Sequence, residues 1–227
     1  MSYYVTTPIY YVNAEPHLGH AYSTLAADIF ARHMRQRGED VFFLTGTDEH
    51  GEPIELAAQR EGITPQELAD RNAARFEALL PIIDVTNDFF IRTSDPRHKA
   101  AVAEIMQRVY DNGWVTKGTY EGWYCPRCAD FKTERELGPG NTCPIHEIPL
   151  EKVREENWFF RLSAFQGQLE DLYEAQPDFV VPGIRRNEAV SFIKQGLEDV
   201  SLSRPTLKWG LPLPWDPGQR MYVWFDA

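Results

Sequence analysis

Apolar positions along the first half of the chain follow two alternating rhythms. Ser2 to Thr6 is β-branched and aromatic, which suits a buried strand, and the chain then turns through Pro8 and Pro16. Tyr22, Leu25, Ala26, Ile29, Phe30 and His33 fall on one helical face, and Gly38 stops that helix. Val41 to Leu44 is a short apolar run closed by Thr45-Gly46 and predicts a second strand. Thr64-Pro65-Gln66-Glu67 reads as a capping box with Pro65 at the first helical position. Asp88 to Ile91 predicts a third strand. Ser94-Asp95-Pro96 then opens a helix that carries Val102, Ile105, Met106, Val109 and Tyr110 and ends at Asn112-Gly113.

This alternation predicts an α/β fold, a parallel sheet with helices packed on it. Such sheets bind ligands at the carboxyl ends of their strands. The loops Thr7 to Pro16 and Thr45 to Gly51 are expected there. After Gly113 the rhythm breaks. Residues 117–157 are rich in Gly, Pro, Cys and charge, show no long periodic element, and read as an inserted module. Helical spacing returns at Phe165, Leu169, Leu172 and Tyr173, and again from Asn187 to Leu197. From Val200 the chain has proline-rich turns and one apolar run, Met221 to Phe225, expected as a strand.

Composition narrows the function. The 227 residues are 43% hydrophobic and 25% charged, an ordinary globular balance that excludes disorder and collagen-like architecture. The net charge of −11 argues against a surface that coats nucleic acid. No apolar run is long enough to span a bilayer, and the N-terminus lacks the basic region of a signal peptide. Three cysteines are too few for a disulfide scaffold, so a reduced, cytoplasmic compartment and no membrane association are expected.

All three cysteines lie in one cluster. Cys125-Pro-Arg-Cys128 and Cys143-Pro-Ile-His146 form a C-x₂-C…C-x₂-H set, each pair able to approach one tetrahedral ion from a tight turn. Soft thiolates select zinc, and four protein ligands leave no open position, so one structural Zn²⁺ is expected. Free cysteines or a redox C-x-x-C are the other readings. Pro16-His17-Leu18-Gly19-His20 falls where the first loop meets the first helix. A helix N-terminus attracts phosphate, Gly19 lets a flat ring lie on the backbone, and His17 and His20 can donate to phosphate oxygens. Two ordinary histidines, or a metal pair, would show the same spacing.

These residues resemble the "HIGH" signature of class I aminoacyl-tRNA synthetases. Thr7 to His20 (TPIYYVNAEPHLGH) is similar to the methionyl-tRNA synthetase family in particular. Thr45 to Gly51 (TGTDEHG) resembles that family's second loop, Ser203 to Pro212 its S-R-P…W-G…P segment, and Tyr222 to Ala227 its Y-V-W-x-D-A segment. The cysteine cluster sits where bacterial members carry a knuckle in a connective peptide.

The resemblance implies a Rossmann-like parallel sheet with helices on both faces, interrupted by a connective-peptide insertion carrying a zinc knuckle. It implies residues 1–116 as the first half of the catalytic domain, 117–199 as the insertion, and 200–227 as the start of the second half. It also implies a ligase that uses L-methionine, ATP with Mg²⁺, and tRNA(Met). His17 and His20 would stabilise ATP phosphates, with Gly19 in the same nucleotide site. Asp48 would accept from the methionine ammonium, Ile9, Tyr11 and Trp224 would line the side-chain pocket, and Arg204 would pair with Asp48. Glu15 and His50 are as readily surface residues. The family's K-M-S-K-S signature and helical anticodon-binding domain are not among these 227 residues, so they alone are not expected to charge tRNA. Another class I synthetase, an H-x-G-H nucleotidyltransferase and a non-catalytic zinc-knuckle nucleic-acid binder are the alternatives.

Overall fold

A computed structural model describes residues 2–227 except Ala129 and Thr133. The chain opens with β1 (Ser2–Thr6), β2 (Tyr10–Tyr11), α1 (Leu18–Gln36) and β3 (Asp40–Asp48). It continues through α2 (Glu52–Glu61), α3 (Pro65–Ile82), β4 (Phe89–Arg92) and α4 (Pro96–Asp111). β3 is the centre of a parallel sheet. β1 and then β2 pair with its successive halves, and β4 pairs with Leu44 to Thr47 on the other side.

β3 runs further than its apolar residues suggest, through Thr45-Gly46-Thr47-Asp48. Gly46 explains this: a β-carbon there would sit 2.0 Å from the Ile91 carbonyl oxygen, so only glycine lets β4 approach. Helices pack against the sheet through two clusters. Ala27 and Ala31 of α1 meet Val5 and Phe43, while Ile54 and Ala58 of α2 and Leu68 and Phe76 of α3 meet Tyr10 and Val12. The capping box at α3 is present, with Glu67 N–H donating to Thr64 Oγ1 at 3.2 Å and Thr64 N–H to Glu67 Oε2 at 2.8 Å. Asp28 ties α1 to the approach to β4, accepting from the N–H and hydroxyl of Thr86 at 2.8 and 2.6 Å.

The region after α4 is more regular than expected. β5 (Val115–Cys125) and β7 (Glu151–Phe160) pair antiparallel from Val115–Phe160 to Tyr124–Glu151, flanked by β6 (Asp130–Lys132) and β8 (Val200–Ser201). Their period was hidden because glycines and charges interrupt β5 on both faces. α5 (Gln166–Ala175) and α6 (Gly183–Lys194) lie between β7 and β8. The end of the chain corrects another expectation. Met221 to Phe225 is not one strand. β9 (Ser203–Arg204) pairs with β10 (Arg220–Met221), and Val223–Asp226 form a short helix, α7. Leu211, Leu213 and Met221 fill a core with Met106 of α4 and Val115, which leaves β10 no need of an apolar continuation. Among the described residues, no helix is long and apolar enough to cross a membrane.

Candidate functional site

Two histidines build the start of α1. His17 is the N-cap, and its Nδ1 accepts from the Gly19 N–H at 3.1 Å. His20 reaches back, its Nδ1 accepting from the His17 N–H at 3.1 Å. This is a capping box made of imidazoles, with ring centroids 3.7 Å apart. The geometry fixes the chemistry. A neutral ring that accepts at Nδ1 carries its proton on Nε2, so both rings keep an Nε2–H donor at the helix N-terminus. Burial lowers the His20 pKa, and the neighbouring ionisable ring of His17 lowers it further, which favours the neutral imidazole. The His20 ring also packs edge-on against Tyr10 and Phe76. Gly19 is close-packed: a β-carbon would lie 3.0 Å from the His17 ring. A chain of hydroxyls, Thr7–Thr45–Tyr10–Thr24, joins this helix start to β3.

Across the sheet end, Tyr11 and Asp48 are register partners on β2 and β3. Asp48 is only 5% exposed, and its Oδ1 is buried with no hydrogen-bond partner. Burial pushes its carboxyl up to about 8, the negative charges of Asp226 and Glu49 add to this, and the His50 N–H partly opposes it. Tyr11 donates from its hydroxyl to the His50 carbonyl at 2.8 Å. Ile9 lies half-buried just before it. Trp209 grips the same loop, its indole N–H donating to the Glu49 carbonyl and its own carbonyl accepting from the Gly51 N–H.

Arg204 does not pair with Asp48. It makes two 2.9 Å bonds to Glu155 on β7, with its guanidinium 3.8 Å from the Tyr124 ring centroid. Glu155 faces it from the adjoining sheet and takes Nε and Nη2 in a bidentate pair, while Nη1 is buried without a partner. Trp224 is 68% exposed. With Tyr222 it lines an open cleft of about 460 Å³ against Cys128, Ile145 and His146. Glu15 is exposed and paired with Arg75 at 2.7 Å, whereas His50 is 2% exposed and bonds Asp226. Asp226 had no assigned role. The only signal was its place in the Y-V-W-x-D-A segment.

Cys125, Cys128, Cys143 and His146 converge, their ligand atoms all within 4.8 Å of one another. Cys128 Sγ to Cys143 Sγ is 3.6 Å, and His146 Nδ1 lies 3.7, 3.3 and 3.7 Å from the sulfurs of Cys125, Cys128 and Cys143. A tetrahedron of about 2.3 Å metal–sulfur bonds has edges of about 3.8 Å, so the set fits one zinc ion. Burial raises the Cys143 thiol pKa, but N–H groups of His146 and Ile145 aimed at the sulfur outweigh it and bring it down. Leu150, Leu137 and Ile148 pack around the cluster. Tyr124, just before the first ligand, donates from its hydroxyl to Glu52 Oε2 on α2 at 2.5 Å.

The family described as "tRNA synthetases class I (M)" matches residues 3–149 and 141–227. A methionine–tRNA ligase of Thermosynechococcus vestitus is 54% identical over 224 residues, 98% of this chain and 42% of that protein. One from Thermotoga maritima is 50% identical over 100% of this chain and 37% of its own length. A structure of Mycobacterium tuberculosis methionyl-tRNA synthetase with methionyl-adenylate superposes with a TM-score of 0.93 at 42% identity, covering 99% of this chain and 45% of that one. The apo form of that enzyme superposes with a TM-score of 0.80 at 39% identity, over 99% of this chain and 43% of its own. The chain thus spans less than half the length of the relatives it matches.

Proposed function

The chain belongs to the class I tRNA synthetases of the (M) group, and on that premise we propose that it forms part of a methionine–tRNA ligase. The reaction has two steps. The methionine carboxylate attacks the α-phosphorus of ATP, and pyrophosphate leaves. A ribose hydroxyl at the 3′ end of tRNA(Met) then attacks the carbonyl of methionyl-adenylate, and AMP leaves. Neither step needs a protein nucleophile, so the side chains act by positioning and by stabilising charge.

In this reading the Nε2–H groups of His17 and His20 donate to the phosphates of ATP, which arrives with Mg²⁺, over the helix terminus beside Gly19. Asp48 accepts from the α-ammonium of methionine. Ile9, Tyr11 and Trp224 contribute apolar and aromatic walls suited to a thioether. Arg204 supports the fold of the site through Glu155. Cys125, Cys128, Cys143 and His146 hold one Zn²⁺, which when bound closes the knuckle and supplies no open position for chemistry. Contacts with tRNA(Met) fall mostly outside these residues. The division at residue 116 is supported by the change from parallel to antiparallel pairing near Val115, and the one at residue 199 is part of the proposal. Cytoplasmic residence is part of the proposal and rests on the small number of cysteines, too few for a disulfide scaffold.

The observation that carries this reading is the buried Asp48 oxygen without a partner. A buried carboxylate in that state calls for a cation, and the α-ammonium of an amino acid is one. The test is ATP–pyrophosphate exchange with the longest natural product of the gene. Labelled pyrophosphate should enter ATP only when methionine is present. Exchange that is absent, or that leucine drives equally well, overturns the proposal.

A further inference from the structure

Asp226, on α7, is a second buried acid beside the amino-acid loop. It is 2% exposed, and its Oδ2 lies 2.5 Å from His50 Nδ1. Its backbone carbonyl is met by His98 Nε2 at 2.5 Å, which anchors α7 to the start of α4. Its Oδ1, like that of Asp48, is buried and has no hydrogen-bond partner.

His50 makes these facts one arrangement. Its ring bonds Asp226, its carbonyl accepts from the Tyr11 hydroxyl, and its backbone N–H is directed at the Asp48 carboxylate. One residue therefore touches Asp226 with its side chain and two members of the proposed amino-acid site with its backbone. The ring is fixed further by Trp209, whose centroid lies 5.5 Å away. The Asp226 bond and the Trp209 contact hold the residue whose backbone N–H meets the Asp48 carboxylate. The open buried acceptors of the two acids also form a locus that a cation would satisfy.

We propose that Asp226 is a positioning residue for the substrate's α-ammonium, acting through His50 to set Asp48. The inference rests on the amino-acid site proposed above. It predicts selectivity by chemical group. Ligands that carry the ammonium depend on Asp226, and ligands that lack it do not.

The test compares wild type and Asp226→Asn in the longest natural product of the gene. Asn keeps the size of the side chain and removes the charge. Two competitive probes are used, methioninol, which has the ammonium and no carboxylate, and 4-(methylthio)butanoate, which has the carboxylate and no ammonium. Asp226→Asn should weaken methioninol and raise KM for methionine about tenfold or more. It should leave KM for ATP and the affinity for 4-(methylthio)butanoate within about twofold. Equal weakening of both probes, or no change in either, overturns the inference. If Asp226→Asn does not fold, His50→Leu breaks the same link and is read with the same probes, with the same selective pattern expected. Wild-type protein without methionine-dependent exchange would instead sink the functional reading itself, before any variant is compared.

Discussion

Asp48 and Glu49 are consecutive, both buried, and oppositely satisfied. The Glu49 carboxylate accepts from Thr47 Oγ1 at 2.6 Å, from Arg92 at 2.6 and 2.9 Å, and from Ser94. Asp48 Oδ1 accepts from nothing. Asp48 ends β3 and Glu49 is the first residue beyond it, so one acid enters a structural network while the other stays at the end of the strand.

The first prediction concerns pH. The Asp48 carboxyl stands at about 8 when folded, against 3.8 ordinarily, with burial as the main cause. Between those values the folded protein holds a proton that the unfolded chain has released. Stability of the ligand-free protein should therefore fall as pH rises from about 4 to about 8, by an amount on the order of a few kcal/mol. Asp48→Asn should flatten this dependence. Denaturant midpoints across that range check it, and an equal slope in the variant assigns the effect to other groups.

His17 should separate into two roles. An Asn at this position still caps α1, so His17→Asn should change stability by no more than about 0.5 kcal/mol, while His17→Ala should cost about 1 kcal/mol. Both remove the Nε2–H donor. Both should lower kcat for amino-acid activation by roughly 10²–10³, the usual loss for one charge-stabilising donor. Thermal melts and exchange kinetics on the same pair of variants read the two effects separately.

Zinc should be present at about one ion per chain in protein prepared without chelators. Cys128→Ser should release it and loosen the packing around Leu137, Ile148 and Leu150, which have little core beyond the cluster. Elemental analysis and the fluorescence of Trp123 follow the two events. A metal-free wild type with an ordered knuckle would remove zinc from the account.

Arg204→Met should cost about 3–5 kcal/mol, because it strands the buried Glu155 charge. Burial by itself would raise the Glu155 pKa, and the Arg204 guanidinium more than reverses this. Adding Glu155→Leu should recover most of the loss. A double variant no more stable than the single one would mean that the stacking of Arg204 on Tyr124 and Phe131, not the ion pair, holds this corner.

Much of this was readable in the sequence, wherever the signal was local. The helix from Leu18, the Thr64–Glu67 cap and the four metal ligands each depend on residues a few positions apart. What escaped depends on distant partners. Arg204 was matched to Asp48, but Glu155, 49 positions away, supplies two oxygens at bonding distance. His50 looked like a surface residue until α7 brought Asp226 to it, 176 positions along the chain. The polar look of Thr45 to Asp48 concealed a strand, because Gly46 signals a close neighbour without naming β4. The two-histidine cap went unread because imidazole is seldom the acceptor that closes a helix start.

The hydrogen bond from Tyr124 to Glu52 joins the knuckle to the amino-acid loop. Tyr124 adjoins the first knuckle ligand, and Glu52 begins the helix that follows the Asp48 loop. Two regions that share a bond of this kind share a free energy, and the sharing runs equally in both directions. Filling the knuckle should steady the amino-acid loop, and occupancy of that loop should in turn slow the escape of metal.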